Sequence, residues 1–289
     1  MKKLGLAVMF VLIAVALLPL SGRCQQNDIW AMDKPAGIPC PNAWNEPFTN
    51  RFPSLCYALG DFDWDDVNGR FVLTPSAFKQ SGRLFWRCRK PMDAWTAQFD
   101  FYASGGGGSD GGADGLTFAF CRKCDYPRSY GVWLDFKDAD GYAVEFDTFP
   151  NSTDPTTEDH IAILENDSEH HLCFAEIPDI EDGKWHHVFI HFSHGVIWVW
   201  LDAVHYILGY QITGYDSYSG YFGFTAATWF GWNWHIIDNV RVQILPQGKE
   251  IPAPPAVPAL SPFGVLALVL ALGAVVLILM RRRLRTESR

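Results

Sequence analysis

The sequence of 289 residues predicts an all-β fold, a jelly roll in which two antiparallel sheets pack face to face as a sandwich. Short segments rich in aromatic and β-branched residues alternate in side-chain character and are bounded by Gly, Asp or Ser turns. Helical spacing is scarce between them, and many short strands without intervening helices favour two packed sheets. The clearest predicted strands are residues 97–102, 115–120, 143–147, 187–192, 196–201 and 220–225.

The first element in chain order is a secretory signal at residues 1–24. Lys2 and Lys3 precede a nearly unbroken apolar stretch that ends at Leu20, as in cleavable signal peptides. A retained membrane helix is the alternative, but no cluster of positive charge follows the stretch. We therefore expect export.

Residues 27–247 are predicted to form one β-sandwich domain, a length that suits this architecture. Without the signal and the C-terminal tail, the chain has 15 basic and 31 acidic side chains, a net charge of −16. Such a charge disfavours nucleic acid as a partner and favours divalent cations. The glycines at 105–108, with Gly111 and Gly112, predict a flexible loop tip.

The cysteine content predicts disulfides, because the chain is expected outside the cell. The sequence allows fifteen connectivities among six domain cysteines. Cys121 and Cys124 form a Cys-x-x-Cys pair, for which we favour a structural crosslink over a redox or zinc site. The six are Cys40, Cys56, Cys88, Cys121, Cys124 and Cys173.

The C-terminal elements predict attachment to a membrane. A Pro-rich linker at residues 248–262 precedes an uncharged apolar run at 263–280, just long enough to span a bilayer. The basic tail at 281–289 then places the C-terminus in the cytoplasm and the domain outside. The segment 257–264 also resembles bacterial C-terminal sorting signals, in which case the helix is removed after export. Both fates stay open.

The segment from Glu145 to His160 carries the most specific chemistry. Glu145 and Asp147 are two apart on a predicted strand, so their carboxylates share one face. Two like charges so close are costly unless a cation lies between them. The oxygen donors that follow are the Phe149 carbonyl, Asn151 and Asp154. This oxygen-rich set suits Ca²⁺, and the competing interpretation is a solvated acidic turn.

A second metal site is predicted beside the first. His160 adds an imidazole, so a transition metal such as Mn²⁺ could share the carboxylates. The predicted ligands of this second site are Glu145, Asp147, Asp154 and His160. The remaining histidines, including His170 and His171 in a polar stretch, are interpreted as structural.

Four segments, in this order along the chain, resemble L-type (legume-type) lectins of the concanavalin A-like family. The resemblance spans roughly residues 61–244. The segments are Ala113-Asp-Gly-Leu-Thr-Phe118, Gly131-Val-Trp-Leu134, Val144-Glu-Phe-Asp-Thr-Phe-Pro-Asn151 with Asp154-Pro155 and His160-Ile161, and Gly223-Phe-Thr-Ala-Ala-Thr228.

The resemblance implies a sugar site in which metals do no chemistry and hold the loops. Asp114, after a cis peptide bond to Ala113, would accept hydrogen bonds from two sugar hydroxyls. Gly131 would give a backbone N–H, and Asn151 would donate its amide while its oxygen ligates calcium. Aromatic residues of the fourth loop would form a platform for sugar C–H surfaces, although ordinary burial is the alternative for them. They are Trp229, Phe230, Trp232 and Trp234.

Two departures from the family pattern concern the site. The spacing from Asn151 to Asp154 is one residue shorter than in plant members, which makes Asp159 an alternative ligand. The tryptophan-rich fourth loop means that sugar identity does not carry over.

The function we expect is calcium-dependent binding of glycans or glycoconjugates, without enzymatic activity. A laminin-G-like adhesion module and a laminarinase-type glycoside hydrolase are the alternatives. Hydrolysis is disfavoured because Phe149 stands where the next acid should be. A lectin fold kept only for protein interaction, and association of two copies through sheet edges, are also left open.

Overall fold

The computed structural model describes residues 38–48, 55–108 and 111–246. This part of the chain is almost entirely strand, with one short 3₁₀ helix, η1 (Gly131–Trp133). The strands are β1 (Ala43–Glu46), β2 (Cys56–Gly60), β3 (Asp63–Asp65), β4 (Arg70–Thr74), β5 (Ser81–Trp86), β6 (Lys90–Pro91), β7 (Ala94–Gly108), β8 (Gly115–Lys123), β9 (Asp140–Asp147), β10 (His160–Glu165), β11 (Asp167–Glu176), β12 (Trp185–Ser193), β13 (Val196–Leu201), β14 (Val204–Gln211), β15 (Ser219–Ala227) and β16 (Gly231–Ile244).

The strands form two antiparallel sheets. The back sheet has the order β14-β13-β12-β7-β16-β4-β3, with β1 paired to β16. The front sheet has the order β11-β10-β9-β8-β15-β5-β2, with β6 paired to β15. The predicted two-sheet sandwich is therefore confirmed, and each of the six predicted strands lies within an observed one.

The core lies between the sheets because alternate side chains of each strand point inward. In β13, for example, Ile197, Val199 and Leu201 are buried while their neighbours are half-exposed. Phe99 of the back sheet contacts Phe224 of the front sheet with ring centroids 4.8 Å apart, edge to face, an arrangement that aromatic pairs prefer.

The outer face of the front sheet is also covered. Residues 124–139 cross it and bury a second apolar cluster around Phe85, Tyr126 and Phe136. The Thr225 hydroxyl donates a hydrogen bond to the Leu134 carbonyl at 2.6 Å, which ties this segment to β15. The covering segment includes η1, so it carries Gly131 over the sheet.

The glycine run differs from its prediction as a flexible loop tip. Gly105 to Gly108 are the last residues of β7 and pair with β16. A Cβ atom on Gly107 would lie 2.4 Å from the indole Nε1 of Trp232. These glycines are therefore required where two indoles lie flat on the strand, a packing need that the sequence did not reveal.

Cys40 and Cys88 form a disulfide, which confirms the expectation of disulfide bonding. Cys121 and Cys124 are free thiols in contact, both buried, so the predicted crosslink between them is absent. Burial raises the pKa of the Cys124 thiol well above its usual value, which disfavours the thiolate form that redox or metal chemistry needs.

Several predicted elements lie outside the described residues: the signal at 1–24, the linker at 248–262, the helix at 263–280 and the tail at 281–289. Within the described ranges, no helix has the length and apolar character needed to cross a membrane.

Candidate functional site

Two buried carboxylates on β9 form the centre of the site. Glu145 and Asp147 are only 1% and 2% exposed, and they share the outer face of the front sheet. Asp147 pairs with His160 across β9 and β10, so the register brings the imidazole to the same face. The period of two in β9 produces this arrangement, as the sequence predicted.

The loop after β9 folds back onto the Asp147 carboxylate. The Phe149 N–H donates to Asp147 Oδ1 at 2.7 Å. The Asn151 side-chain amide lies 3.1 Å from the Phe149 carbonyl oxygen, and the Asn151 N–H donates to the Asp154 carboxylate. The carbonyl, amide and carboxylate oxygens of the predicted calcium set are thus gathered by local hydrogen bonds.

Asp154, and not Asp159, belongs to this carboxylate group. Asp159 accepts a hydrogen bond from the Ile180 N–H at 2.9 Å and serves the segment after β11. Asp154 lies close enough to Asp147 to raise its pKa. The shorter spacing from Asn151 therefore still delivers the predicted carboxylate.

The electrostatics of the group are unfavourable without a cation. Burial raises the pKa of Asp147 well above its ordinary value, and the neighbouring charges of Glu145 and Asp154 raise it further. Burial likewise raises the pKa of Asp154. Buried carboxylates of this kind are normally paired with a positive group or a metal.

Glu145 has a different environment because two imidazoles face it. Its Oε2 lies 3.6 Å from His160 Nε2 and 3.1 Å from His171 Nε2. Burial acts to raise the pKa of Glu145, but the contacts with His160 and His171 outweigh it and lower the pKa. His171 was interpreted as structural from the sequence, and the structure places it beside Glu145 and His160, in a group that could hold a metal ion.

Asp114 lies at the start of β8, next to the carboxylate group. The Ala113–Asp114 peptide bond is cis, as the resemblance implied. Asp114 is 4% exposed, and its Oδ2 has no hydrogen-bond partner. Burial, followed by the charge of Asp154, raises the pKa of Asp114 to about 8, against a hydrogen bond from the Trp229 backbone. A buried acceptor without a partner marks a place for a ligand donor.

Gly131 lies directly over Asp114. Its φ of 63° favours glycine, and a Cβ atom there would lie 3.1 Å from the Trp229 Cβ and 3.8 Å from Asp114 Oδ2. Gly131, Asp114 and Trp229 therefore converge, as predicted, although they are far apart in the sequence.

An aromatic cluster borders this point. Trp229 and Phe230 form the turn between β15 and β16 and contact Phe78, with ring centroids 5.4 Å and 5.6 Å from it. Phe230 is 55% exposed and Phe78 47%, and the Lys79 ammonium lies 5.1 Å from the Trp229 ring. Phe78 and Lys79 come from the turn before β5 and were missed, since no local pattern links them to the fourth loop.

The expectation that four aromatic residues share the fourth loop is wrong for Trp232 and Trp234. Both lie on β16, which begins at Gly231. Their indoles pack on Gly107 and Gly105 of β7, because glycine leaves room there. Of the predicted sugar platform of Trp229, Phe230 and Trp232, only the first two lie in the turn between β15 and β16, and the contact of all three with sugar stays a prediction.

The described residues fit a divalent cation. Asp114 Oδ2 and Glu145 Oε2 are buried oxygens without hydrogen bonds, and both lie in a group of hard oxygen donors. The Glu145, His160 and His171 ligand atoms all lie within 4.8 Å of one another.

Comparison with known proteins supports the fold and points to one family. Residues 49–188 match the model of the legume-like lectin family. This segment of the chain is therefore similar to legume-like lectins. The matched segment includes Asp114, Gly131 and the whole carboxylate group.

Solved lectins share the two-sheet architecture of this chain. The basic winged bean lectin with Tn-antigen is 20% identical, with a TM-score of 0.60 over 69% of this chain and 96% of its own. The VIP36 exoplasmic/lumenal domain in its Ca²⁺- and mannose-bound form is 18% identical, with a TM-score of 0.60 over 73% and 92%. The metal-free lectin I-B4 from Griffonia simplicifolia is 21% identical, with a TM-score of 0.60 over 70% and 98%. No curated protein sequence matches the chain.

Proposed function

We propose that this β-sandwich is a legume-like lectin domain that binds glycans at Asp114, with Ca²⁺ holding the loops of the site. The observation that carries the proposal is the Asp114 carboxylate, which is buried, lacks a partner on Oδ2 and lies beneath Gly131 and Trp229. A buried acceptor without a hydrogen-bond donor destabilises the protein. A sugar hydroxyl can supply the missing donor. The winged bean lectin and VIP36 structures with bound Tn-antigen and mannose support the choice of ligand class.

The residues around Asp114 would share the recognition of one sugar ring. Asp114 accepts from sugar hydroxyls, the Gly131 N–H donates to the same region, and Asn151 offers its side-chain amide. The half-exposed faces of Trp229 and Phe230 would cover the apolar C–H surface of the sugar or of its neighbour. These three polar groups and an aromatic wall would fix both the position and the orientation of the ring.

Calcium would be held by the Asp147 and Asp154 carboxylates, the Asn151 side-chain oxygen and the Phe149 carbonyl. When bound, the ion supplies the positive charge that offsets the repulsion between these carboxylates. The loop between β9 and β10 would then keep Asn151 beside Asp114. A second ion, a transition metal such as Mn²⁺, would use Glu145, Asp147, Asp154 and His160.

The place of action follows from the two ends of the chain. The apolar segments at 1–24 and 263–280 support export of the domain and its display at the cell surface on a single anchor. A cleaved C-terminal helix would instead release the domain or attach it elsewhere. Glycans outside the cell would then be the partners.

The test is a glycan array with the purified full chain, in Ca²⁺ and in EDTA, beside the variants Asp114→Asn and Asp66→Asn. Asp66 is an exposed carboxylate in the turn between β3 and β4, and therefore serves as the matched control. We expect glycan signals that vanish in EDTA and in Asp114→Asn but persist in Asp66→Asn.

The other outcomes identify the competing functions. Calcium binding by calorimetry without any glycan signal would overturn sugar recognition and favour an adhesion module. A glycan signal that survives both EDTA and Asp114→Asn would show that the sugar binds elsewhere. Cleavage of array glycans would point to a glycoside hydrolase.

A further inference from the structure

Three buried side chains on neighbouring strands point their ligand atoms at one another. They are Glu145 on β9, His160 on β10 and His171 on β11. Glu145 and His160 are each 1% exposed as side chains, and His171 is 9% exposed. Glu145 Oε2 and the Nε2 atoms of both histidines have no hydrogen bond of acceptable geometry.

A β-bulge in β11 accounts for the position of His171. Ile163 of β10 pairs with Cys173, but the next residue, Leu164, pairs with His171, so Leu172 is the extra residue. A bulge re-aims the side chains that follow it. Leu172 packs against the core between the sheets, which leaves His171 on the outer face with Glu145.

The two distances from Glu145 to the histidines fit a shared metal ion. Ligands that each lie about 2.0–2.1 Å from a tetrahedral Zn²⁺ are about 3.3–3.4 Å apart. The separations from Glu145 Oε2 are 3.1 Å to His171 and 3.6 Å to His160, which bracket that value. Glu145 Oε2 and the two Nε2 atoms are buried without hydrogen bonds, and a cation between them would relieve that cost.

We propose that His171 is a direct ligand of the second metal site, which adds a second imidazole to the one that His160 supplies beside Glu145. The inference deepens the proposed function, because it concerns the second ion beside the calcium site and rests on that metal centre. Imidazole favours Zn²⁺, Co²⁺, Ni²⁺ and Cu²⁺, whereas carboxylate and carbonyl oxygens favour Ca²⁺ and Mn²⁺. With His171 bound, the site therefore selects a zinc-like ion over Mn²⁺.

The chain provides a matched control for this inference. His170 is the neighbouring residue on β11, but its side chain is 59% exposed and lies beside Glu165. Replacing His170 removes an imidazole of the same chemistry from the same strand without touching Glu145. A difference between the two variants therefore reports the position of the imidazole and not the number of histidines.

The experiment titrates the calcium-loaded full chain with Co²⁺, followed by its visible absorption, and with Zn²⁺ and Mn²⁺ by calorimetry. It compares the unmodified chain with His171→Ala, His171→Gln and His170→Ala. We expect His171→Ala to weaken Co²⁺ and Zn²⁺ binding at least about tenfold. That is the smallest loss usually seen when even an outer-shell partner of a metal ligand is mutated. Mn²⁺ binding should fall less, and His170→Ala should behave like the unmodified chain.

A second readout counts the ligands directly. Pulsed electron paramagnetic resonance of the Cu²⁺-loaded chain should show two imidazole nitrogens, reduced to one in His171→Gln. Gln keeps much of the side-chain volume, so this variant remains informative if His171→Ala does not fold. No transition-metal binding, one imidazole in the unmodified chain, or equal effects at 170 and 171 would overturn the proposal. None of these measurements uses a sugar. The role of His171 can therefore be tested even if the chain binds no glycan on the array.

Discussion

Arg83 and Asp135 form a fully buried ion pair beneath the segment that carries Gly131. The two side chains are 1% and 0% exposed, and they are joined at two points, Nε to Oδ2 at 2.8 Å and a terminal nitrogen to Oδ1 at 2.5 Å. Arg83 also donates to the Tyr126 carbonyl at 3.0 Å, and Asp135 accepts from the Ser129 N–H at 2.8 Å. The pair therefore joins β5 to both ends of the loop over the candidate sugar site.

Asp135→Asn should destabilise the protein strongly. It leaves the Arg83 charge buried without its partner, for which the usual cost is about 3–5 kcal/mol. Denaturant unfolding of the full chain would measure the loss. Asp140→Asn, which removes the exposed pair between Asp140 and Arg122, should cost about 0–1 kcal/mol. Equal losses in the two variants would contradict the role given to the buried pair.

Gly131→Ala should abolish glycan binding with a modest loss of stability. The new methyl group lies 3.1 Å from the Trp229 Cβ and takes up space 3.8 Å from Asp114 Oδ2, where a ligand would bind, while the positive φ costs about 1 kcal/mol. Gly214→Ala is the control, because Gly214 has a φ of 70° with no atom within 4 Å of the added Cβ. Glycan binding and unfolding should be measured for both. If Gly214→Ala also lost binding, the effect would be one of backbone strain and not of the site.

Phe78→Ala and Phe230→Ala should each weaken glycan binding about two- to tenfold. Each removes one exposed ring of the aromatic cluster, and an aromatic contact contributes about 0.5–1.5 kcal/mol. Leu208→Ala, a change at an exposed apolar residue of the back sheet, should leave affinity unchanged. Calorimetry with a glycan identified on the array would check this. An unchanged affinity in both Phe variants would remove the cluster from the site.

Acid should destabilise the fold through His235. This ring is completely buried beside the Thr74 hydroxyl, at 2.7 Å, and burial lowers its pKa to about 3. The unfolded chain takes up a proton near pH 6.5 that the folded chain refuses. The loss in the free energy of unfolding that His235 causes is therefore absent above pH 6.5. It increases as the pH falls and reaches roughly 2 kcal/mol at pH 5.

The measurement is the free energy of unfolding between pH 7 and pH 5 for the unmodified chain, His235→Gln and His170→Gln. Carboxylates also make the free energy of unfolding depend on pH. The effect of His235 is therefore read from the difference between the chains. The slope should be smaller in His235→Gln than in the other two. If the free energy of unfolding has the same pH dependence in all three chains, His235 is not the group responsible.

Gly107→Ala should destabilise the domain through Trp232, because its methyl group would lie 2.4 Å from the indole Nε1. Replacing Trp232 by Leu removes the obstacle, so the double variant should be more stable than the sum of the single losses predicts. A double-mutant cycle measures this coupling, which for residues in contact is about 0.5–3 kcal/mol. Strictly additive losses would mean that the two positions do not act on each other.

Local periodicity was enough to predict the sandwich and the carboxylate pair. Alternation in β9 and β13 is a property of neighbouring residues, and Glu145 and Asp147 share a face for the same reason. Asp114 and Gly131 are brought together by the segment that crosses the front sheet, which no local pattern reveals. They were predicted only through the family resemblance.

The predictions that failed concern contacts between distant parts of the chain. The place of His171 depends on a bulge one residue away, and pairing register cannot be read from one strand. Gly105 to Gly108 resemble a loop because glycine disfavours strands, yet here the indoles of β16 supply the packing. Phe78 reaches the site because the Thr228 hydroxyl donates to the Ala77 carbonyl at 2.7 Å, a contact between distant parts of the chain.

The fit of Trp232 on Gly107 has a consequence for how this rim of the domain can diversify. Any side chain at 107 collides with the indole, and any smaller residue at 232 leaves a hollow above bare backbone. During evolution toward new ligands, the exposed residue Phe230 can therefore be replaced by a single substitution. The packed pair of Gly107 and Trp232 can change only when both positions are exchanged together.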